Sequence, residues 1–199
     1  MPDAPSLVTA STALLVMDFQ RTIVESFAAD ADALVTRTAG LVRAARAAGV
    51  KLVYVVVGFR AGYPEISPNN LGFGTLRQSG RFAEGAPGTE IHPGVAPAPG
   101  DVVITKHRVS AFAGTDLDMI LRANGVDTLV LAGIATSGVV LSTLRHAADA
   151  DYRIVVAGDC CSDRDPEVHR VLLEKVFPRQ AAVSTADDVA KAFAARGVG

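Results

Sequence analysis

Tryptophan is absent from the 199 residues, aromatics make up only 6%, and cysteine occurs twice. So few stacking side chains argue against a base-stacking platform for single-stranded nucleic acid. The two cysteines, Cys160 and Cys161, are neighbours. Adjacent thiols rarely bridge, and two cannot build a structural zinc site alone, so the chain is expected to fold without either staple. Neither sign of charge dominates: 19 Lys and Arg against 21 Asp and Glu leave a formal net charge of −2. No global basic field exists to attract nucleic acid or an anionic membrane. A long apolar run is also missing. The opening MPDAPSLVTASTALLVMDFQ has no basic leader, and its apolar stretch Ala13–Met17 is too short for a secretion signal or a span. A cytoplasmic protein is expected.

What is present is 49% apolar residues with 20% charged, which excludes disorder. The length predicts one domain over 1–199. Short apolar runs alternate with longer amphipathic ones. Ala13–Met17, Lys51–Val57, Asp101–Thr105, Thr128–Ala132, Arg153–Ala157 and Ala181–Ser184 read as strands buried on both faces, as in a parallel sheet. Helices are expected at Asp32–Ala48 before Gly49, at Thr115–Asn124 with Thr115 as N-cap, and at Ser137–Ala150. Two more should start at Asp165-Pro166 and at Thr185. The alternation predicts a three-layer α/β/α sandwich around a six-stranded, mostly parallel sheet. Gly58–Gly100 breaks the rhythm with many Gly and Pro and reads as a long loop insertion, a lid, pocket wall or oligomer contact.

Ligands of open α/β sheets bind beyond the carboxyl ends of the strands. Asp18 follows the first strand, Lys106 the third, and the small-residue turn Gly133-Ile134-Ala135-Thr136-Ser137-Gly138 the fourth. A carboxylate and an ammonium meeting in a cleft would shift each other's pKa. A turn opening a helix would offer backbone N–H groups to developing negative charge. The turn is neither a Walker loop nor a dinucleotide fingerprint, so no nucleotide cofactor is expected. The candidate walls are Phe19, Gln20, Phe59, Arg60, Tyr63 and Phe112, with Asn69, Asn70 and Phe73 beside them. Arg60 could pair a carboxylate on a small-molecule substrate. The four histidines are scattered without an Asp-x-His spacing, so no metal is expected. His107 should point away from Lys106, and His146 and His169 toward solvent. Apolar helix faces and the long segment suggest a homodimer or higher homo-oligomer.

Taken together, LLVMDFQ and VVITKHRVSAFAGTDLDMILRANGVDTLVLAGIATSGVVLSTLRHAADADYRIVVAGDCCSD resemble the isochorismatase-like, or cysteine, hydrolases over roughly residues 10 to 190. The resemblance implies that Asp18 is the catalytic proton carrier and Lys106 its orienting partner. It implies a cis peptide at Ile134–Ala135 and an oxyanion hole from the amides of 135 and 139. The remaining turn residues Thr136, Ser137 and Gly138 would border the substrate. The family nucleophile is a Cys four residues after that Ala, and this chain has Val139 there. Valine offers no nucleophilic atom. Isochorismatases themselves resemble this chain in keeping the Asp and Lys without that Cys, though they carry G-V-Y-A-H where this chain has Gly133–Ser137. Three functions follow as alternatives. The first is a hydrolase of a small polar metabolite working through Asp18 and Lys106 without a thiol. The second is an inactive relative that binds a metabolite or scaffolds an oligomer. The third is an amidase that uses Cys160 or Cys161.

Overall fold

The computed structural model describes residues 7–195. Six strands form one parallel sheet: β1 (Thr12–Met17), β2 (Lys51–Val57), β3 (Val102–Lys106), β4 (Thr128–Ile134), β5 (Arg153–Ser162) and β6 (Ala182–Ser184), in the order β3-β2-β1-β4-β5-β6. Every residue of β1 and β4 is buried. That is why these strands read as unbroken apolar runs rather than as alternation.

Successive β1 side chains divide between two cores. Leu14 and Val16 pack with α1 (Arg21–Phe27), α2 (Ala31–Ala47) and α7 (Ala186–Ala194). Ala13, Leu15 and Met17 pack with α4 (Leu117–Ala123) and α5 (Leu141–Asp149) on the other face. The result is the expected α/β/α sandwich. The remaining helices are α3 (Leu71–Ser79) and α6 (Pro166–Val171).

Local chemistry sets the helix ends. Asp30, Asn70, Asp165 and Thr185 cap α2, α3, α6 and α7 with side-chain oxygens on early backbone N–H groups. The N-cap of α4 is Asp116 and not Thr115; the Thr115 hydroxyl instead accepts from the Leu117 N–H at 3.3 Å. The helix expected from Ser137 is preceded by a kinked turn, Thr136–Val140, in which Gly138 leaves helical geometry (φ −96°, ψ −105°), and α5 starts only at Leu141.

The segment expected as a loop between 58 and 100 contains α3 and is tied back to the sheet end. The Arg21, Thr22 and His92 N–H groups donate to Glu90, Gly88 and Phe19 carbonyls at 3.1, 3.2 and 2.8 Å. Gly88 must be glycine: its φ is +80°, and a Cβ there would lie 2.0 Å from Thr22 Oγ1. A second close approach occurs at Gly133, where a Cβ would meet Val140 and Met17 at 3.0 and 3.2 Å. That close approach lets the kinked turn settle onto the end of β1.

Candidate active site

β1 and β3 deliver the charged pair. Asp18 follows β1 in a left-handed backbone conformation, φ +59°, which Asp tolerates better than most residues. Its N–H donates to Val55 of β2 at 2.8 Å. Lys106 is the last residue of β3, paired in register with Val57. Its ammonium lies 2.9 Å from Asp18 Oδ2, and the side chains are 3% and 7% exposed. A second donation goes from Lys106 Nζ to the Arg108 carbonyl at 3.1 Å. Asp18 Oδ1, by contrast, is buried with no hydrogen-bond partner. Burial pushes the Asp18 carboxyl above its ordinary value, and the charge and hydrogen bond of Lys106 oppose that rise without cancelling it.

β4 delivers the third element. The Ile134–Ala135 peptide is cis. The Gly138 and Val140 N–H groups donate to the Ala135 carbonyl at 3.1 and 3.3 Å. The Ser137 N–H donates to Asp163 Oδ2 at 2.7 Å. Asp18, Lys106, Ile134, Ala135, Ser137, Gly138 and Val139 all line one cavity of about 300 Å³. Val139 itself is only 2% exposed.

Other residues placed in the site by sequence reasoning lie elsewhere. Phe19 is buried in the core, because its position just past β1 turns it toward the α1–α2 face. Gln20 is a clamp. Its amide accepts from the Val57 N–H at 2.8 Å and donates to the Val57 and Thr89 carbonyls at 3.0 and 2.8 Å. Phe112 packs in the opposite core and stacks on His146 with centroids 4.5 Å apart. Phe59 and Arg60 line a separate cavity of about 360 Å³, along with Gln20 and His107. There His107 Nδ1 lies 2.6 Å from the Gly58 carbonyl, and Arg60 pairs with Glu65 at 2.5 Å. Tyr63 donates to the Arg81 carbonyl at 3.0 Å and braces the wall without lining it.

Thr136 is fully buried behind the turn, and its hydroxyl lies 2.7 Å from His169 Nδ1. His169 is therefore half-buried rather than solvent-facing, and burial lowers its pKa while Asp163 opposes that shift. Neither cysteine lines the Asp18 cavity. Both thiols are buried on β5, and burial pushes Cys160 up to about 12 and raises Cys161 too. Both thiols are thus held in the protonated form and lie outside the cavity that Asp18 and Lys106 line.

Sequence reasoning missed most of the apolar lining: Ile23 and Phe27 of α1, Leu76 of α3, then Phe82 and Val109. Asn70 and Gly80, which bracket α3 as N-cap and left-handed C-cap, were the available signal for that helix. No three His, Cys, Asp or Glu side chains form a metal-binding group among the described residues. Nor is any helix among them long and apolar enough to cross a membrane.

A parallel α/β/α sheet with an acid–ammonium pair at its carboxyl edge, beside a turn leading into a helix, is the arrangement that the resemblance to the isochorismatase-like hydrolases implies. The Isochorismatase domain matches residues 12–188, and the chain belongs to the isochorismatase family. The ureidoacrylate amidohydrolase RutB of Azorhizobium caulinodans is 33% identical over 215 residues, spanning 97% of this chain and 95% of its own. The maleamate amidohydrolase of Pseudomonas putida is 31% identical over 180 residues, 88% of this chain and 84% of its own. Among solved structures, an isochorismatase family protein from Burkholderia thailandensis superposes with a TM-score of 0.82 at 31% identity, covering 96% of this chain and 100% of that one.

Proposed function

We propose that this hydrolase cleaves an acid-labile bond in a small molecule by general acid catalysis from Asp18, with water as the nucleophile. The unpartnered Oδ1 of Asp18, a residue that lines a cavity without a thiol, carries this reading. One carboxyl oxygen is held by Lys106, which leaves the other to deliver a proton. The raised pKa keeps that proton available nearer neutrality than an ordinary carboxyl would. In a vinyl ether, the proton goes from Oδ1 to the terminal carbon and the C=C π pair forms the new C–H bond. The oxygen lone pair stabilises the resulting oxocarbenium ion. Water adds to that cation and returns its proton to Asp18, and the hemiketal collapses to an alcohol and a ketone. Lys106 stabilises the carboxylate between the two transfers.

The names of the amidohydrolase relatives favour a second reading. In it, ionised Asp18 takes a proton from water as that water attacks an amide or ureido carbonyl. The backbone amides of 135 and 139 would then hold the oxyanion.

The experiment is Asp18→Asn assayed on a vinyl ether and on a ureido acid. Removal of the proton carrier should lower vinyl-ether turnover by about 10²–10⁴-fold. Turnover of the ureido acid alone would transfer the case to the second reading. Ligand binding without turnover of either would identify an inactive relative.

A further inference from the structure

We propose that the substrate carries a compact apolar body of aromatic size, with its cleavable bond at one end. Phe73 and Leu76 of α3 would select that body. The inference rests on the general-acid reading of the same cavity. Of the side chains that line it among the described residues, only Asp18, Lys106 and Ser137 are polar, and Lys106 is held by one oxygen of Asp18. A substrate with several hydroxyl or carboxylate groups would surrender its hydration there and find few partners. An apolar body loses nothing comparable and gains from leaving water. A volume of about 300 Å³ lies at the small end of ligand pockets. One ring and a short functional group suit it better than an extended chain.

Three of the lining residues are phenylalanines, and each has an aromatic or cationic neighbour at its ring. Phe73 meets Phe59 edge-on with centroids 5.4 Å apart, and Phe59 is itself 1% exposed and 5.8 Å from Tyr63. The Arg164 guanidinium sits 4.6 Å from the Phe27 ring centre, and that of Arg81 sits 5.4 Å from Phe82. The rings are thus positioned before a ligand arrives, which lowers the ordering needed on binding. Phe73 and Leu76 are three residues apart, so one face of α3 presents both. This also explains Phe59 and Tyr63, which support the wall without touching the ligand space.

The test uses two ligand pairs that differ only in the body. Acetone and acetophenone are titrated calorimetrically against the full-length protein. 2-Methoxypropene and α-methoxystyrene, the enol ethers that hydrolyse to those ketones and methanol, are assayed for turnover. Acetophenone should bind at least about tenfold tighter than acetone, the lower end of what one well-packed apolar increment supplies. Phe73→Ala should erase about tenfold of that preference. Leu76→Ala should erase part of it, and it serves as the readout if Phe73→Ala fails to fold. Equal affinity for the two ketones, no binding of acetophenone up to its solubility, or an unchanged preference in folded variants would overturn the proposal. Selective acetophenone binding without methanol release from α-methoxystyrene would sink the acid chemistry and leave the apolar body standing. Hydrolysis of both enol ethers at equal kcat/KM would do the reverse.

Discussion

Asp18, just past β1, and Lys106, the last residue of β3, belong to strands that are not neighbours, with β2 lying between them, yet their charged atoms are 2.9 Å apart. The two side chains converge over the end of β2, where Asp18 is fastened by its N–H to Val55 and Lys106 faces Val57 in the ladder. The pair is thus a property of three strands in register.

The rate should report which form of Asp18 reacts. Burial raises its pKa above the ordinary 3.8. A general acid must carry its proton, so turnover should be full below that elevated pKa and decline as pH rises through it. A general base gives the opposite slope over the same window. A pH profile of kcat/KM decides the sign, and residual turnover in Asp18→Asn should lack the limb.

Lys106→Met should destabilise the fold by about 3–5 kcal/mol near neutral pH, because it strands a buried carboxylate. The loss should shrink as pH falls. Without the ammonium the folded-state pKa rises further, and protonation then removes the uncompensated charge. Urea unfolding at two pH values measures this, and a penalty independent of pH would mean that Asp18 is already neutral beside Lys106.

Thiol chemistry separates the native cysteines from the missing one. The double variant Cys160→Ala/Cys161→Ala should turn over substrate at the wild-type rate while losing stability by about 1 kcal/mol per site. Val139→Cys should acquire a weak acyl-transfer activity, because a thiol there lines the Asp18 cavity. Intact-mass spectrometry after exposure to an activated ester would detect the acyl adduct, and a folded variant that never acylates would show that more than one residue separates this pocket from a thiol enzyme.

The Thr136–His169 contact should hold the turn from behind. Thr136→Val leaves the half-buried His169 nitrogen without this partner and should cost about 1 kcal/mol. His169→Asn, which can keep a polar atom near the Nδ1 position, should retain more stability than His169→Leu. Thermal unfolding of the three variants checks the order, and equal Tm values would show that the contact contributes nothing.

The strands were legible because burial on both faces leaves an unbroken apolar run, as in LLVM and KLVYVVV. Asp18, Lys106 and the Gly133–Gly138 turn were legible for a related reason, because parallel strands put all their carboxyl ends at one edge, whereas Val139 stood out only through the resemblance to the cysteine hydrolases. Which side of that edge each neighbour faces was not. Phe19, Gln20, Phe59 and Phe112 all follow or adjoin strand ends, yet all turn away from the cavity into core, clamp or second pocket. Helix α1, RTIVESF, hid behind its β-branched Thr22, Ile23 and Val24. Helix α3 hid behind Gly72 and Gly74, which weaken any helical reading. The Thr136–His169 bond spans 33 residues, a separation at which no local pattern operates.

Asp18 and Lys106, the residues proposed to handle the proton, sit at the edge of the sheet, whereas Phe73, Leu76 and Phe82 ride on the stretch between β2 and β3. That stretch is anchored at both ends by backbone bonds, Gly58 N–H to the Lys106 carbonyl at 3.2 Å and Arg21 N–H to the Glu90 carbonyl at 3.1 Å. On the proposed reading, chemistry and part of the recognition therefore ride on different pieces of chain, with Ile23, Phe27 and Val109 completing the apolar lining elsewhere. A descendant could exchange everything from about residue 60 to 87, keep the two anchors, and meet a new compound with an untouched reaction centre.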